Sequence, residues 1–182
     1  MTIGVRDAVA DDFAAVHAIY SHHVLHGFGT FDETPPSLGD YSAKWRELTT
    51  MGLPWLVAVD AGQVVGFAYA SPFRPRTGYR YTLEDSVYIR DDRRGRGVGI
   101  SLLSPLVARC EALGARQVVA VIGDSKNAGS IALHAKAGFA HAGTVKAVGY
   151  KLGRWVDIVF MQRALNGGDA SAPTIAGAWR DP

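Results

Sequence analysis

Apolar positions along the chain change period several times, and each change marks a new element. TIGVRDA reads as a short strand. Beyond Asp11 and Asp12, acidic residues suited to a helix start, Phe13, Val16, Tyr20 and Val24 recur at helical spacing. GFGTFDETPP breaks that period with Gly27, Gly29, Pro35 and Pro36 and reads as a loop. Ser37 with Asp40 resembles a capping box. The helix it opens puts Leu38, Tyr41, Trp45 and Leu48 on one side, and Gly52 and Pro54 stop it.

WLVAVD and QVVGFAYASPF flank a turn at Ala61 and Gly62 and predict an antiparallel hairpin. YTLEDSVYI is a further strand, VGISLLSPLVARCEAL a helix, and RQVVAVIG a strand whose apolar run lacks alternation, as in a strand covered on both faces. SKNAGSIALHAKAGF forms a helix closed by Gly138, followed by two strands about a polar turn at Gly153. Residues 166–182, NGGDASAPTIAGAWRDP, have no period and are rich in Gly, Ala and Pro, which predicts a mobile tail after one domain over residues 1–165. The order of elements is mixed α/β rather than the strict strand-helix alternation of a doubly wound nucleotide fold.

Composition narrows the classes. The chain has 182 residues, 48% of them hydrophobic and 20% charged, as in a globular protein of one domain. A formal charge of +2 is too small to suggest nucleic-acid binding, although arginines cluster at 74–80 and at 90–96. The single cysteine, Cys110, cannot form an internal disulfide, and no run approaches a membrane span. The opening carries Arg6, Asp7, Asp11 and Asp12 where a signal peptide needs an apolar stretch, so a cytoplasmic protein is expected.

The densest candidate chemistry is RRGRGVG, residues 93–99, between a strand and a helix. Glycines at such a junction bring bare backbone amides to the positive end of the helix dipole, where phosphate oxygens bind, and arginines add charge-assisted bonds. The dinucleotide fingerprint fails here, since its last glycine would fall on Ile100, and a Walker loop fails for want of lysine. A pyrophosphate remains the best-suited anion.

In these residues the chain resembles the GNAT superfamily of N-acetyltransferases. Arg94-Gly95-Arg96-Gly97-Val98-Gly99 has the form of its acetyl-coenzyme A loop, and NAGSIALHAKAGF, residues 127–139, looks like its second coenzyme A segment. FDETP, SPFRPRTGYRYTLEDSVYI, VVAVIG and GYKLGRWVDIVFMQ resemble the branch that acetylates phosphinothricin and methionine sulfoximine, over roughly residues 3–165. The resemblance implies a twisted, mostly antiparallel mixed sheet with helices on both sides, whose central parallel strands splay to admit the cofactor arm. It also implies direct acetyl transfer from acetyl-CoA to the α-amino group of a small amino acid analogue, and a homodimer.

The same resemblance implies residue roles. The cofactor would meet the backbone of Val87, Tyr88 and Ile89, the loop Arg94, Gly95, Arg96, Gly97, Val98 and Gly99, and the side chains of Asn127 and Ser130. Glu84 would be the general base, worth typically about 10²–10⁴-fold, with Asp85 its rival. Strand alternation turns those two neighbours to opposite faces. His134, or else Tyr88, would return a proton to the thiolate. Arg74 and Arg76 would bind acidic groups of the acceptor, with Phe31, Tyr79 and Ser86 beside them.

His22, His23 and His26 lack the companions of a metal site, so no metal is expected. Two other readings stay open at this stage. One keeps acetyl-CoA but acts on a polyamine, an aminoglycoside or a protein amine. The other is a non-catalytic acyl-CoA module or a basic RNA binder, disfavoured because no stacking aromatics interleave the arginines.

Overall fold

The computed structural model describes residues 3–179. In chain order the elements are β1 (Gly4–Asp7), α1 (Phe13–His26), α2 (Leu38–Thr50), β2 (Trp55–Asp60), β3 (Gln63–Pro72), β4 (Thr82–Ile89), α3 (Val98–Ala112), β5 (Gln117–Gly123), α4 (Ala128–Lys136), β6 (Ala140–Lys151) and β7 (Arg154–Ala164). Seven strands form one sheet in the order β1-β2-β3-β4-β5-β7-β6. Every neighbouring pair is antiparallel except β4 with β5. No helix among the described residues is long and apolar enough to cross a membrane.

Local chemistry explains the element ends. The Ser37 hydroxyl accepts the Asp40 N–H at 3.0 Å and caps α2. Ala61 and Gly62 both adopt positive φ, as a two-residue hairpin turn between antiparallel strands requires. Asp12 accepts the Val9 N–H at 2.8 Å and pairs with Arg6, which ties β1 to the approach of α1. Of the apolar stripe expected on α2, Tyr41 and Leu48 are buried and Trp45 packs on the core, but Leu38 is exposed. It is the first residue of the helix.

Strand alternation sorts the core into two layers. Trp55, Phe67, Tyr69 and Tyr88 stack on one face against Tyr20 and Tyr41, the side covered by α1 and α2. The opposite face carries α3: a Cβ at Gly66 would meet Val98 at 3.1 Å and Leu102 at 3.3 Å, so that strand position must stay bare for the helix to approach.

Residues 166–179 form neither helix nor strand, as their composition predicts, yet they are tied down rather than loose. Arg116 donates to the Gly168 and Ser171 carbonyls, Tyr81 donates to the Ile175 carbonyl, and the Ala178 N–H donates to the Arg80 carbonyl. Ala178 and Trp179 are buried. These contacts give residues 166–179, part of the segment 166–182 expected as a mobile tail, apolar cover for Trp179 that composition alone does not reveal; residues 180–182 lie outside the described residues.

Candidate active site

The central feature is a fork. β4 and β5 pair in parallel from Thr82 with Gln117 to Asp85 with Ala120, and no further. Beyond that point β4 continues on β3 as far as Ile89, and β5 continues on β7 as far as Gly123. Each strand follows its own antiparallel partner, so the two part. The splayed parallel strands implied by the family resemblance are present.

Backbone parity decides what the fork offers. The Arg90 N–H donates to the Val65 carbonyl at 3.0 Å, and antiparallel ladders bond alternate residues. Tyr88 therefore turns its backbone to β3, whereas Val87 and Ile89 turn theirs into the fork. The His23 ring, held neutral because burial pushes its pKa down, donates Nε2–H to the Ile89 carbonyl at 2.9 Å. This leaves the amides of Val87 and Ile89 and the Val87 carbonyl on the open edge. His23 belongs to the fork, and no motif in the sequence marks it.

From the fork the chain runs through the arginine-glycine turn into α3. Gly95 and Gly97 adopt φ of +70° and +85° with nothing within 4 Å of a built Cβ, so the turn is both left-handed and open. Gly97 stands at the N-cap, and no side chain caps the first amides of α3. Arg96 is exposed, and Arg94 is held by Asp91. Gly99 has a different reason to be glycine: its Cβ would lie 2.8 Å from Leu133 and 3.1 Å from Ile89, so it makes room for α4. An open, uncapped helix start continuing from a bare strand edge fits a pyrophosphate followed by an amide-bearing arm, which is the shape of coenzyme A.

The two faces of β4 carry different chemistry. Glu84, Ser86 and Tyr88 face the α1 and α2 side, where Arg74 Nη1 lies 3.7 Å from Glu84 Oε2 and Lys44 Nζ donates to the Tyr69 hydroxyl at 2.8 Å. Burial pushes the Glu84 pKa up, and Arg74 offsets part of this. Phe31 packs on Gly149 too closely for a side chain there and reaches within 3.4 Å of a Cβ position at Gly123, where the Phe28 carbonyl leaves no room, and so lies beside the end of β5. The Lys151 ammonium reaches across to the Thr30 carbonyl at 2.7 Å and holds that loop. Tyr79 packs edge-on against Phe73, and Arg76 is exposed at the rim.

Asp85 faces the other way and meets His134. His134 Nε2 lies 2.9 Å from Asp85 Oδ2, and His134 Nδ1 lies 2.7 Å from the Ser130 carbonyl. The structure thus separates Glu84 from His134 by the thickness of the sheet and gives both ring nitrogens of His134 protein partners. Asn127 is also occupied: its Oδ1 accepts the Ser130 N–H and its Nδ2 donates to the Gly123 carbonyl. Tyr88 lies in the aromatic layer, where burial raises its pKa well above the ordinary value and keeps its hydroxyl protonated. Lys44 belongs to no motif, and Lys151, though inside the GYKLGRWVDIVFMQ segment, carries no role there that the sequence marks; both become neighbours of the site only through folding.

A broad surface concavity of about 1170 Å³ lies elsewhere. It is lined by Lys136, Gly138, His141, Gln162 and Arg163 near the start of β5, where β4 and β5 are still paired, and it is shallow. Among the described residues no cluster of three or more His, Cys, Asp or Glu side chains is arranged to hold a metal ion.

Comparisons with known proteins agree with this geometry. The model of the Acetyltransferase (GNAT) family matches residues 16–139. A phosphinothricin N-acetyltransferase from Alcaligenes faecalis is 51% identical over 169 residues, 93% of this chain and 84% of that protein. An L-methionine sulfoximine/L-methionine sulfone acetyltransferase from Pseudomonas aeruginosa is 42% identical over 91% of this chain and 96% of its own. The crystal structure of a GNAT superfamily phosphinothricin acetyltransferase from Sinorhizobium meliloti with AcCoA superposes with a TM-score of 0.93 at 48% identity, covering 97% of this chain and 96% of that one. A family match over most of the chain, joined to a fork in the sheet and an open helix start on the strand that leaves it, establishes that this chain belongs to the GNAT family of acetyltransferases.

Proposed function

We propose that the protein is an acetyl-CoA-dependent N-acetyltransferase acting on the α-amino group of a small amino acid analogue of the phosphinothricin, methionine sulfoximine or methionine sulfone type. The observation that carries this reading is the placement of Arg74 beside a half-buried Glu84 on the face of the forked strand that α1 and α2 cover. The names of the relatives at 51% and 42% identity point to the same acceptors.

Acetyl-CoA supplies the activated acetyl thioester. The residues that would hold it are the open β4 edge at Val87 and Ile89, the turn Arg94–Gly97 and the first amides of α3. Glu84 takes the proton from the acceptor ammonium, and its raised pKa brings it closer to the working pH, where a base of this kind acts best. The Arg74 guanidinium offers paired donors to a carboxylate, phosphinate or sulfonyl oxygen, with Arg76 at the rim. The Val87 amide on the open edge would donate to an acyl oxygen. Tyr88 keeps its proton too tightly to be a good acid, and His134 has no free nitrogen. Neither is given the proton-donor role in this reading.

Val145, Val148, Tyr150, Leu152 and Trp155 on the β6–β7 hairpin are exposed, with Trp155 at 64%. An apolar patch of this kind supports a homodimer built on the hairpin. Detoxification of amino acid analogues, herbicide resistance toward phosphinothricin and a cytoplasmic location, where acetyl-CoA is made and used, complete the proposal.

The test is an acceptor panel with purified protein and acetyl-CoA. L-Phosphinothricin, L-methionine sulfoximine and L-methionine sulfone should turn over with a kcat/KM well above that for spermidine, an aminoglycoside or a peptide amine. A preference for the polycations would replace this reading with the second acetyltransferase one.

A further inference from the structure

The Asp85–His134 pair lies outside the chemistry assigned to Glu84 and is nearly sealed: the side chains are 1% and 4% exposed. Its hydrogen-bond partners determine its protonation. The Ser130 carbonyl can only accept, so His134 Nδ1 carries a hydrogen. In a neutral ring Nε2 would then present a lone pair to a carboxylate oxygen 2.9 Å away, which is repulsive. A proton must lie between them, and because Asp85 holds the His134 pKa up despite burial, that proton is assigned to the ring, as an imidazolium bonded to a carboxylate. Asp85 raises the His134 pKa in opposition to the burial that lowers it. The other titratable groups that Asp85 influences are the Cys110 thiol of α3 and Glu84 on the far face of β4, and both are shifted upward beside it.

The location of this pair gives it a mechanical meaning. Asp85 is the last residue of β4 that pairs with β5, so it stands at the base of the fork. His134 lies on α4, one residue from Leu133, whose methyl groups fill the space left by Gly99 at the start of α3. α4 is thus pinned to β4 by one residue and to the start of α3 by the next. Asp85 Oδ1 is buried without a partner, so what holds this carboxylate in the interior is its pairing with His134.

We propose that Asp85 and His134 are positioning residues that set the spacing between the open edge of β4 and the first amides of α3, and thereby the affinity for acetyl-CoA. This rests on the reading of the fork as an acetyl-CoA site. The charged bridge resists displacement of α4, and Leu133 transmits that position to Gly99.

The test has a limb that needs no cofactor. In the wild-type protein, ¹⁵N NMR of labelled histidine should show His134 with both nitrogens protonated at pH 7, and a neutral ring there overturns the proposal. Asp85→Asn keeps the shape and permits Asn Nδ2–H to donate to a neutral Nε2, so the ring should become the Nδ1–H tautomer. Calorimetry should then show acetyl-CoA binding weakened about tenfold, the scale of one hydrogen bond to a charged group, with the acceptor KM and kcat little changed. A fall in kcat with unchanged acetyl-CoA affinity would assign the pair to the chemistry instead, and no change at all would leave it merely structural; either refutes the idea. Should Asp85→Asn fail to fold, the wild type decides: its acetyl-CoA affinity must weaken as rising pH removes the His134 proton, and an affinity that ignores that titration refutes the proposal. Failure of the broader reading is distinct, since acetyl-CoA would then not bind the wild type at all.

Discussion

Arg74 Nη1 stands 3.7 Å from Oε2 of Glu84, an exposed cation beside a mostly covered carboxylate. The two act on Glu84 in opposite directions: burial favours the neutral acid, and the guanidinium favours the base. Because burial dominates, the basic form needed for proton removal appears only above the pH at which an ordinary carboxylate ionises.

The acidic limb of the pH–rate profile should therefore lie above the usual carboxylate range, with activity lost as pH falls through the raised Glu84 pKa. Glu84→Gln should abolish that limb and lower kcat/KM by about 10²–10⁴-fold. Arg74→Met removes the group that lowers the Glu84 pKa, so its limb should move to higher pH while the acceptor KM rises. Profiles of kcat/KM for the three proteins check both points, and a limb unmoved by Arg74→Met counts against electrostatic contact.

Glycines of one loop should divide by mechanism. Gly99→Ala pushes a methyl against Leu133 and Ile89 and should cost about 1–3 kcal/mol through overpacking. Leu133→Val in the same chain should restore part of it. Gly95→Ala enters open space at φ of +70° and should cost about 1 kcal/mol of backbone strain. Thermal unfolding reads both, and equal losses relieved equally by Leu133→Val would show that the distinction is wrong.

The C-terminal segment should contribute to stability. Trp179 is 5% exposed, and Trp179→Ala should destabilise the fold by about 3–5 kcal/mol. Denaturant unfolding measures this. A change near zero would mean that the segment leaves the core in solution.

Trp155→Glu should abolish a concentration-dependent part of the unfolding temperature, since the ring has little cover within the chain and its loss removes only the stabilisation that association gives the native state. Sedimentation should find the wild type dimeric and the variant monomeric. A wild type that sediments as a monomer would remove the dimer from the proposal.

Cys110 should stay inert. Burial pushes its thiol pKa up to about 12, so almost no thiolate exists at neutral pH. A thiol reagent should label it only at the rate of unfolding.

The sequence by itself determined the elements, their order, the bare glycine junction at residues 95–99 and the opposite facing of Glu84 and Asp85. Each of these is local: the period of apolar residues, the absence of a Cβ or the alternation of a strand is written in neighbouring positions. It also marked Arg74 with Glu84, because a motif places them on one loop and strand. Only the tertiary structure decided that Asp85 is held by His134, that Gly99 serves helix packing, that His23 caps the fork and that the tail is docked. Those outcomes depend on which helix covers which face and how closely, and such distances arise between segments tens of residues apart, where no local pattern records them.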